Sequence, residues 1–451
     1  MTVVLFVLGV LFVAVGVALS IALHEIGHLV PAKKFGVKVT QYMVGFGPTV
    51  WSRRRGETEY GIKAIPLGGY IRMIGMFPPL PGSDPTKLRG SSTGRFSQLM
   101  DQARSDSMDE VTPGDEDRVF YKLSVPKKVI IMLGGPTMNL LIGFVLLTGI
   151  ITIYGLPVSQ NGAVVASVSE CVVPASASSQ TACKDTDPKT PAFRAGLQTG
   201  DVLLSVDGQA ITPGESVSDL VRPRANQATT VVFTRDGQER SVTLTPVKNS
   251  VAQVDESGKA VLGADGQPVV VEAGFLGIRS SVPTVIERQP LTAAPGFVWD
   301  GVVQTAGVVV HIPQKMVAVG QAAFGSGERD PNGPMSVVGV GRVGGEIAAA
   351  DLGPQGTSAK VVTLISLVAS LNLALFVFNL IPLLPLDGGH VAGALWEGLK
   401  RRGARLLGKA DPGHVDVAKA LPVAYTMAVL LITMSALLIY ADVVKPIKFF
   451  G

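Results

Sequence analysis

The sequence predicts an α-helical polytopic membrane protein: four transmembrane helices, a membrane-associated β-hairpin sheet and an extracytoplasmic α+β domain. Three observations predict it. Of 451 residues, 47% are hydrophobic and only 16% charged, against about a quarter charged in a soluble domain. Four apolar runs reach the roughly 20 residues that a bilayer core requires: Val3–Val30, Val129–Tyr154, Val361–Leu384 and Leu421–Tyr440. Between the second and third runs lies a long stretch, Gly155–Lys360, that contains strand-like and turn-like segments. The net charge of +4 carries no footprint of a nucleic-acid-binding protein.

The first run has no basic leader and no small-residue cleavage site, and chemically functional residues stand at its end, so it is a retained helix and not a signal peptide. Pro31 is expected to end it. Orientation follows from the basic residues. Lys33 and Lys34 follow the first run, and the next loop carries Arg53, Arg54, Arg55, Lys63, Arg72, Lys127 and Lys128. The loop before the fourth run carries Lys400, Arg401, Arg402, Arg405 and Lys409. Both loops are expected on the cytoplasmic side of a bacterial membrane, with 155–360 and both chain ends outside; Lys445 and Lys448 oppose this and are outnumbered. Cys171 and Cys183 then lie in a compartment where a disulfide persists.

After the first helix, Val37–Val44, Thr49–Arg53, Thr58–Ile65 and Tyr70–Met73 alternate as short strands. Turns come from Gly45-Phe46-Gly47-Pro48, Arg55-Gly56 and Pro66-Leu67-Gly68-Gly69. Such a sheet fits either the membrane interface or the cytosol. Phe77–Asp117 has the polar composition of a mobile insert, with a short helix possible over Arg95–Arg104. Within Gly162–Pro246 the strands are Ala163–Val168, Val202–Val206, Thr229–Thr234 and Ser241–Leu244, with a helix over Glu215–Val221. Val251–Val271 reads as a loop, and Pro290–Gly325 as an amphipathic segment on the outer membrane surface.

The chemistry is concentrated at two helix ends. His24-Glu25-Ile26-Gly27-His28 puts two imidazoles at i and i+4, on one helix face, where both can meet one zinc ion. Glu25 is placed to polarise a zinc-bound water. Two histidines and a glutamate are expensive in an apolar helix unless a functional partner offsets the cost. A third ligand is required, and no His or Glu follows at short spacing. Asp387, at the end of the third run, lies at the same cytoplasmic end as His28. Pro382 and Pro385 must break the helix near it, and broken backbone at membrane depth needs a protein or aqueous lining. Asn372 and Asn379 share a face of the same run; they suit either substrate or oxyanion binding, or bracing of the broken helix. His390 is left out because three ligands suffice, and His311 and His414 fall in polar segments as surface residues. In the second run, Gly134-Gly135-Pro136-Thr137-Met138-Asn139 reads as a small-residue wedge against the metal site and not as a source of ligands.

Two resemblances follow from these residues. The run from Pro191 to Gly208 resembles the core of a PDZ domain, and Phe275-Leu276-Gly277-Ile278 resembles its carboxylate loop, placed after the core as in circularly permuted periplasmic forms. The His-Glu-x-x-His on a first helix and the Asn379-x-x-Pro382…Leu386-Asp387-Gly388 of a third resemble the site-2 protease family of intramembrane zinc metalloproteases, as do the turns at 44–48 and 66–70. The likeness is closest to actinobacterial members with a single PDZ domain. It implies one zinc ion held by His24, His28 and Asp387, with Glu25 as base. It implies single-span substrates, often anti-sigma factors, that an upstream site-1 protease has already trimmed outside. It also implies that the hairpins hold substrate as an added strand, with Gly45, Gly47, Gly68 and Gly69 as candidate contacts and Leu276 and Gly277 as candidate contacts in the PDZ-like domain. That domain either excludes bulky ectodomains by size, the preferred alternative, or binds a new C-terminus. Pro385 stands one position later than in the common bacterial pattern, and the 77–117 insert has no counterpart in it.

The chain then divides into 1–32 (first helix and metal motif), 33–75 (hairpins), 76–125 (cytoplasmic loop with insert), 126–156 (second helix), 157–282 (PDZ-like domain), 283–358 (amphipathic linker), 359–398 (third helix with the acidic ligand), 399–420 (cytoplasmic loop) and 421–451 (fourth helix and tail). A membrane-anchored scaffold would need neither Glu25 nor Asp387. A transporter using the same ligands is disfavoured by four helices without a repeat.

Overall fold

The computed structural model describes residues 2–78, 111–172, 183, 187–213, 215–253, 261, 269–325, 329–330, 333–351 and 356–447. The Arg95–Arg104 helix lies outside the described residues. Two compact units form, Met1–Ile153 with Pro290–Gly451, and Tyr154–Gln289.

The first unit is helical with one sheet. Helix α1 (Thr2–Lys34) continues three residues past Pro31, which does not end it. A proline removes the donor that would have bonded the carbonyl four residues back, here Gly27. That carbonyl packs against helix α2 (Val125–Gly149), where a Cβ built on Gly134 would lie 1.9 Å from the Gly27 oxygen. A backbone this close needs glycine on both sides, and the carbonyl contact with Cα–H groups softens the loss of its amide partner.

The four expected strands merge into two long ones, β1 (Val39–Arg55) and β2 (Thr58–Met73). Val39–Val44 pairs with Gly69–Met73 on one side, while Gln41–Val44 also lies along Glu59–Ile62, and Thr49–Arg55 pairs with Thr58–Lys63. Register shifts and positive φ at Gly45 (96°), Gly47 (84°) and Gly68 (116°) bend the strands into this layered pairing. The base of the sheet packs on α1 and α2 through Val37, Val39, Met73, Leu29, Ala32, Ile131 and Met132. Arg118, just past the insert, binds Glu57 with Nη2–Oε1 at 2.6 Å, and Lys38 meets Asp115 at 2.5 Å.

The helices after the second unit are α5 (Ala294–Val310), α6 (Ile312–Phe324), α7 (Val337–Ala349), α8 (Gly356–Asn379), α9 (Asp387–Leu406) and α10 (Leu421–Val444). The predicted third span is therefore two helices. The break comes earlier than the prolines alone suggest: α8 stops at Asn379, and Asp387 opens α9. Among the described residues, five helices have the length and apolar composition to cross a membrane, the four expected and Leu291–Val310. Asp300 is its only charge, and Val298 is buried against Leu147, Ile150 and Leu373, so the stretch expected on the surface is apolar enough to pack among other helices. Arg329 and Asp442, each 3% exposed, form a buried ion pair that ties the segment before α7 to α10.

In the second unit, strands β4 (Ala163–Val168), β5 (Val202–Val206), β6 (Gln209–Ala210), β7 (Thr229–Arg235), β8 (Gln238–Leu244) and β11 (Ile278–Ser281) form one sheet, ordered β11-β4-β5-β7-β8 with β6 on β5. Leucine, valine and isoleucine of the sheet bury against α3 (Pro191–Arg194) and α4 (Val217–Val221). β9 (Val247–Ala252) and β10 (Val270–Phe275) pair as a hairpin, so the expected loop between them is shorter at both ends, and β3 (Leu156–Ser159) pairs with β12 (Thr284–Glu287). Burial raises the Asp201 carboxyl, but bidentate Arg235 and the Gln198 amide outweigh it and hold it below the usual carboxylate range. Cys171 and Cys183 are joined in a disulfide.

The α1–α2 contact generates a test. Gly134→Val should destabilise the folded protein by about 1–3 kcal/mol, as overpacking does, whereas Gly149→Ala, with open space around its Cβ, should be neutral. Thermal unfolding in detergent measures both; equal melting points for the two variants would contradict the contact.

Candidate active site

His24 and His28 come together because one helical turn separates them. Their Nε2 atoms lie 3.3 Å apart, and each is 3.4 Å from Asp387 Oδ2. Asp387 reaches them because the α8–α9 break delivers it as the first residue of a new helix. Asp387 Oδ2 is buried and receives no hydrogen bond. His28 Nδ1 stands 2.7 Å from the Ile131 carbonyl oxygen, an acceptor only, so Nδ1 carries the proton and Nε2 presents a lone pair. The His28 lone pair and the carboxylate oxygen facing each other over 3.4 Å repel unless a cation lies between them. The three residues form a group able to hold a metal ion, and their N, N, O donor set suits zinc.

Glu25 is 8% exposed and points from α1 toward β2. A Cβ on Gly69 would lie 2.9 Å from Glu25 Cγ and 3.0 Å from Ile21 Cγ2. The absent side chain thus lets the strand run directly beside the carboxylate. Of the other glycines named from sequence, Gly45 and Gly68 are demanded by their turns: a Cβ would stand 2.7 Å from the Ile65 oxygen and 2.4 Å from the Phe46 ring respectively. Gly47 also has positive φ.

Helix α2 closes the other side. A Cβ on Gly135 would lie 2.2 Å from His28 Nε2 and 2.6 Å from His24 Nε2. Asn139 Nδ2 is 3.0 Å from His24 Nδ1, a contact that reading this helix as a wedge alone misses. The signal was present: one amide, four to five residues beyond paired glycines, on the face turned to the histidines.

Asn372 is 1% exposed and donates to Ser20 Oγ and to the Val368 carbonyl, both at 2.9 Å, which couples α8 to α1 one turn before His24. Asn379 is half-buried at the last residue of α8. His390 is not in the metal-binding group, and His311 is exposed beside the Gly307 carbonyl. His414 differs from the surface residue expected. It is half-buried and lies 3.3 Å from Glu397 Oε1, in a network where Lys128 meets Glu397 at 2.8 Å and Arg401 at 3.3 Å. Glu397 is 2% exposed, and its buried charge on α9 is paired with Lys128 of α2. In the second unit, Leu276 and Gly277 line a groove of about 220 Å³ together with Val217, Ser218, Val221 and Ile278. Gly277 has φ +85°, and a Cβ there would meet Thr190 at 2.4 Å, so a side chain at 277 would disturb packing before it could disturb binding.

Gly135→Ala should raise intrinsic helix propensity yet turn the imidazoles away from Asp387. The expected result is a folded protein with sharply reduced zinc content. Zinc per chain in purified protein measures it, and wild-type occupancy in the alanine variant would show that the imidazoles do not rest on Gly135.

The profile of peptidase family M50 matches residues 12–409. The chain is 33% identical over 449 residues to the zinc metalloprotease Rip1 of Mycobacterium tuberculosis (strain ATCC 25618 / H37Rv), covering 99% of this chain and 100% of that protein. It is also 33% identical over 459 residues to the zinc metalloprotease Rip1 of Mycolicibacterium smegmatis, with 99% and 100% covered. Metalloprotease MmpA of Caulobacter vibrioides is 25% identical over 393 residues, 85% of each chain. With the two histidines and the aspartate converging as that chemistry requires, the chain belongs to peptidase family M50.

Proposed function

We propose that the protein is an intramembrane zinc metalloendopeptidase of the site-2 type, with His24, His28 and Asp387 as ligands and Glu25 as general base. The observation that carries this is the convergence of His24 Nε2, His28 Nε2 and the unpartnered Asp387 Oδ2 within 3.3–3.4 Å, one residue from a buried glutamate. Zinc, when bound, supplies Lewis acidity toward a scissile carbonyl and makes water more acidic. Glu25 accepts the proton of the attacking water and returns it to the leaving amine. Substrates are single-span membrane proteins, anti-sigma factors among them, already cut outside by an upstream protease. A helical peptide bond is shielded by its own hydrogen bonds, so the substrate must be held extended. β2, running past Glu25 at Gly69, supports strand addition as the means, with Gly45, Gly47, Gly68 and Gly69 shaping the hairpin. Asn379 is assigned to substrate backbone or the oxyanion, and Asn372, already bonded to Ser20, to bracing the helices. The basic loops support a site near the cytoplasmic face of a bacterial inner membrane, with the 157–282 domain outside.

Glu25→Gln should leave fold and zinc content intact and lower cleavage of a model single-span substrate by at least a hundredfold, within the range general-base catalysis contributes. Cleavage near the wild-type rate would remove Glu25 from the mechanism.

For the second unit a particular observation favours peptide binding over size exclusion. β11 is an edge strand, and the groove beside it is walled by α4, the arrangement that accepts an extended peptide as an added strand. Ser218→Trp, at an exposed position on the groove wall, should slow cleavage of trimmed substrates severalfold and leave untrimmed ones uncut. If trimmed substrates are cut at the normal rate, and deletion of 157–282 releases untrimmed ones, the domain acts by size.

A further inference from the structure

We propose that Asn139 is a positioning residue that fixes His24 in its metal-binding tautomer. The inference rests on the assignment of His24, His28 and Asp387 as zinc ligands. An imidazole that offers Nε2 to a metal keeps its proton on Nδ1, and that N–H must find an acceptor. For His28 the acceptor is the Ile131 carbonyl, 2.7 Å from Nδ1. At His24 Nδ1 the hydrogen-bond partner is the Asn139 amide, 3.0 Å away and on the same helix, α2.

Asn139 is 0% exposed, and its Oδ1 has no hydrogen-bond partner as the amide is set. In that setting Nδ2 donates to Nδ1, which leaves the proton of a neutral His24 on Nε2, facing Asp387 Oδ2 at 3.4 Å. A ring in that form cannot bind metal through Nε2. Rotating the amide by half a turn exchanges oxygen and nitrogen, which occupy nearly the same volume. Oδ1 then accepts from Nδ1–H, and the Nε2 lone pair turns toward His28 and Asp387. The ligating form of His24 therefore requires the amide set with Oδ1 toward Nδ1. α2 supplies both orienting acceptors, one from backbone and one from a side chain, while contributing no ligand.

The test is zinc affinity by chelator competition on purified full-length protein. Asn139→Leu keeps the size and deletes the acceptor; it should weaken zinc binding about 10–100-fold, the usual effect of losing such a partner. Asn139→Asp keeps an acceptor at the same place and should bind zinc within a few-fold of wild type. A role in packing alone predicts the reverse order, since aspartate adds a buried charge where leucine adds none. Wild-type affinity in a folded Asn139→Leu protein, or equal losses in both variants, overturns the proposal. Should Asn139→Leu not fold, nitrogen-15 histidine spectra of zinc-loaded wild type decide: one of the two ligand histidines protonated at Nε2 would overturn it, both protonated at Nδ1 supports it. Absence of zinc binding by wild type would instead overturn the ligand set itself.

Discussion

The backbone crossing of α1 and α2 at Gly27 and Gly134 is the constraint on which the rest of the site depends. Metal-ligand distances are near 2 Å, so the elements around the ion must be held to fractions of an ångström. Side chains between two helices would keep their axes 8–10 Å apart. Glycine on both sides removes that spacer, and Gly135 then provides the floor on which both imidazoles lie. The same closeness brings the Ile131 carbonyl to His28 and the Asn139 amide to His24. A proline within a helix, normally costly, is accommodated at Pro31 in the last turn of α1, where the carbonyl it frees lies in this crossing.

Asp387 is fixed differently. It opens α9 after a broken stretch, so neither α8 nor the connecting turns alone can set its position. Ten residues further along α9, Glu397 is held by Lys128 of α2, with Arg401, His414 and the Val415 amide completing its bonds. A buried pair of this kind is weak evidence for stability, since desolvation offsets most of the attraction. What it does supply is register. The helix that orients the histidines is thereby joined to the helix that carries the acid.

Much of this was legible in the sequence, and the reasons differ by residue. His24, Glu25 and His28 stand out because charge in an apolar helix is expensive, and Asp387 because it ends an apolar run in a proline-rich break. The sheet was legible as strands but not as two long bent ones, because alternation reports which face a residue is on and not whether a glycine turn lets the chain keep pairing. Pro290–Gly325 reads as a surface segment because Pro295, Asp300, His311 and Pro313 interrupt it, although Leu291–Val310 within it has the length and composition to cross a membrane. The α8–α9 division and the role of His414 depend on contacts between distant segments, which no local pattern encodes. Asn139 was visible only as a polar residue near small ones; its aim at His24 is a property of the crossing.

The arrangement also explains why the polar groups of the site tolerate one another. Two imidazole nitrogens and a carboxylate oxygen, all within 3.3–3.4 Å, form a cluster in which at least one hydrogen bond is missing whatever the tautomers. In a low-dielectric setting an unsatisfied carboxylate oxygen costs on the order of 1–3 kcal/mol, more when charged. Helix packing, the α2 acceptors and the Lys128–Glu397 pair hold that cost in place instead of letting side chains rotate to relieve it. A dication removes it at once, because each donor then faces positive charge. The fold therefore holds two imidazoles and a carboxylate together at the one point where the proposed ion would bind.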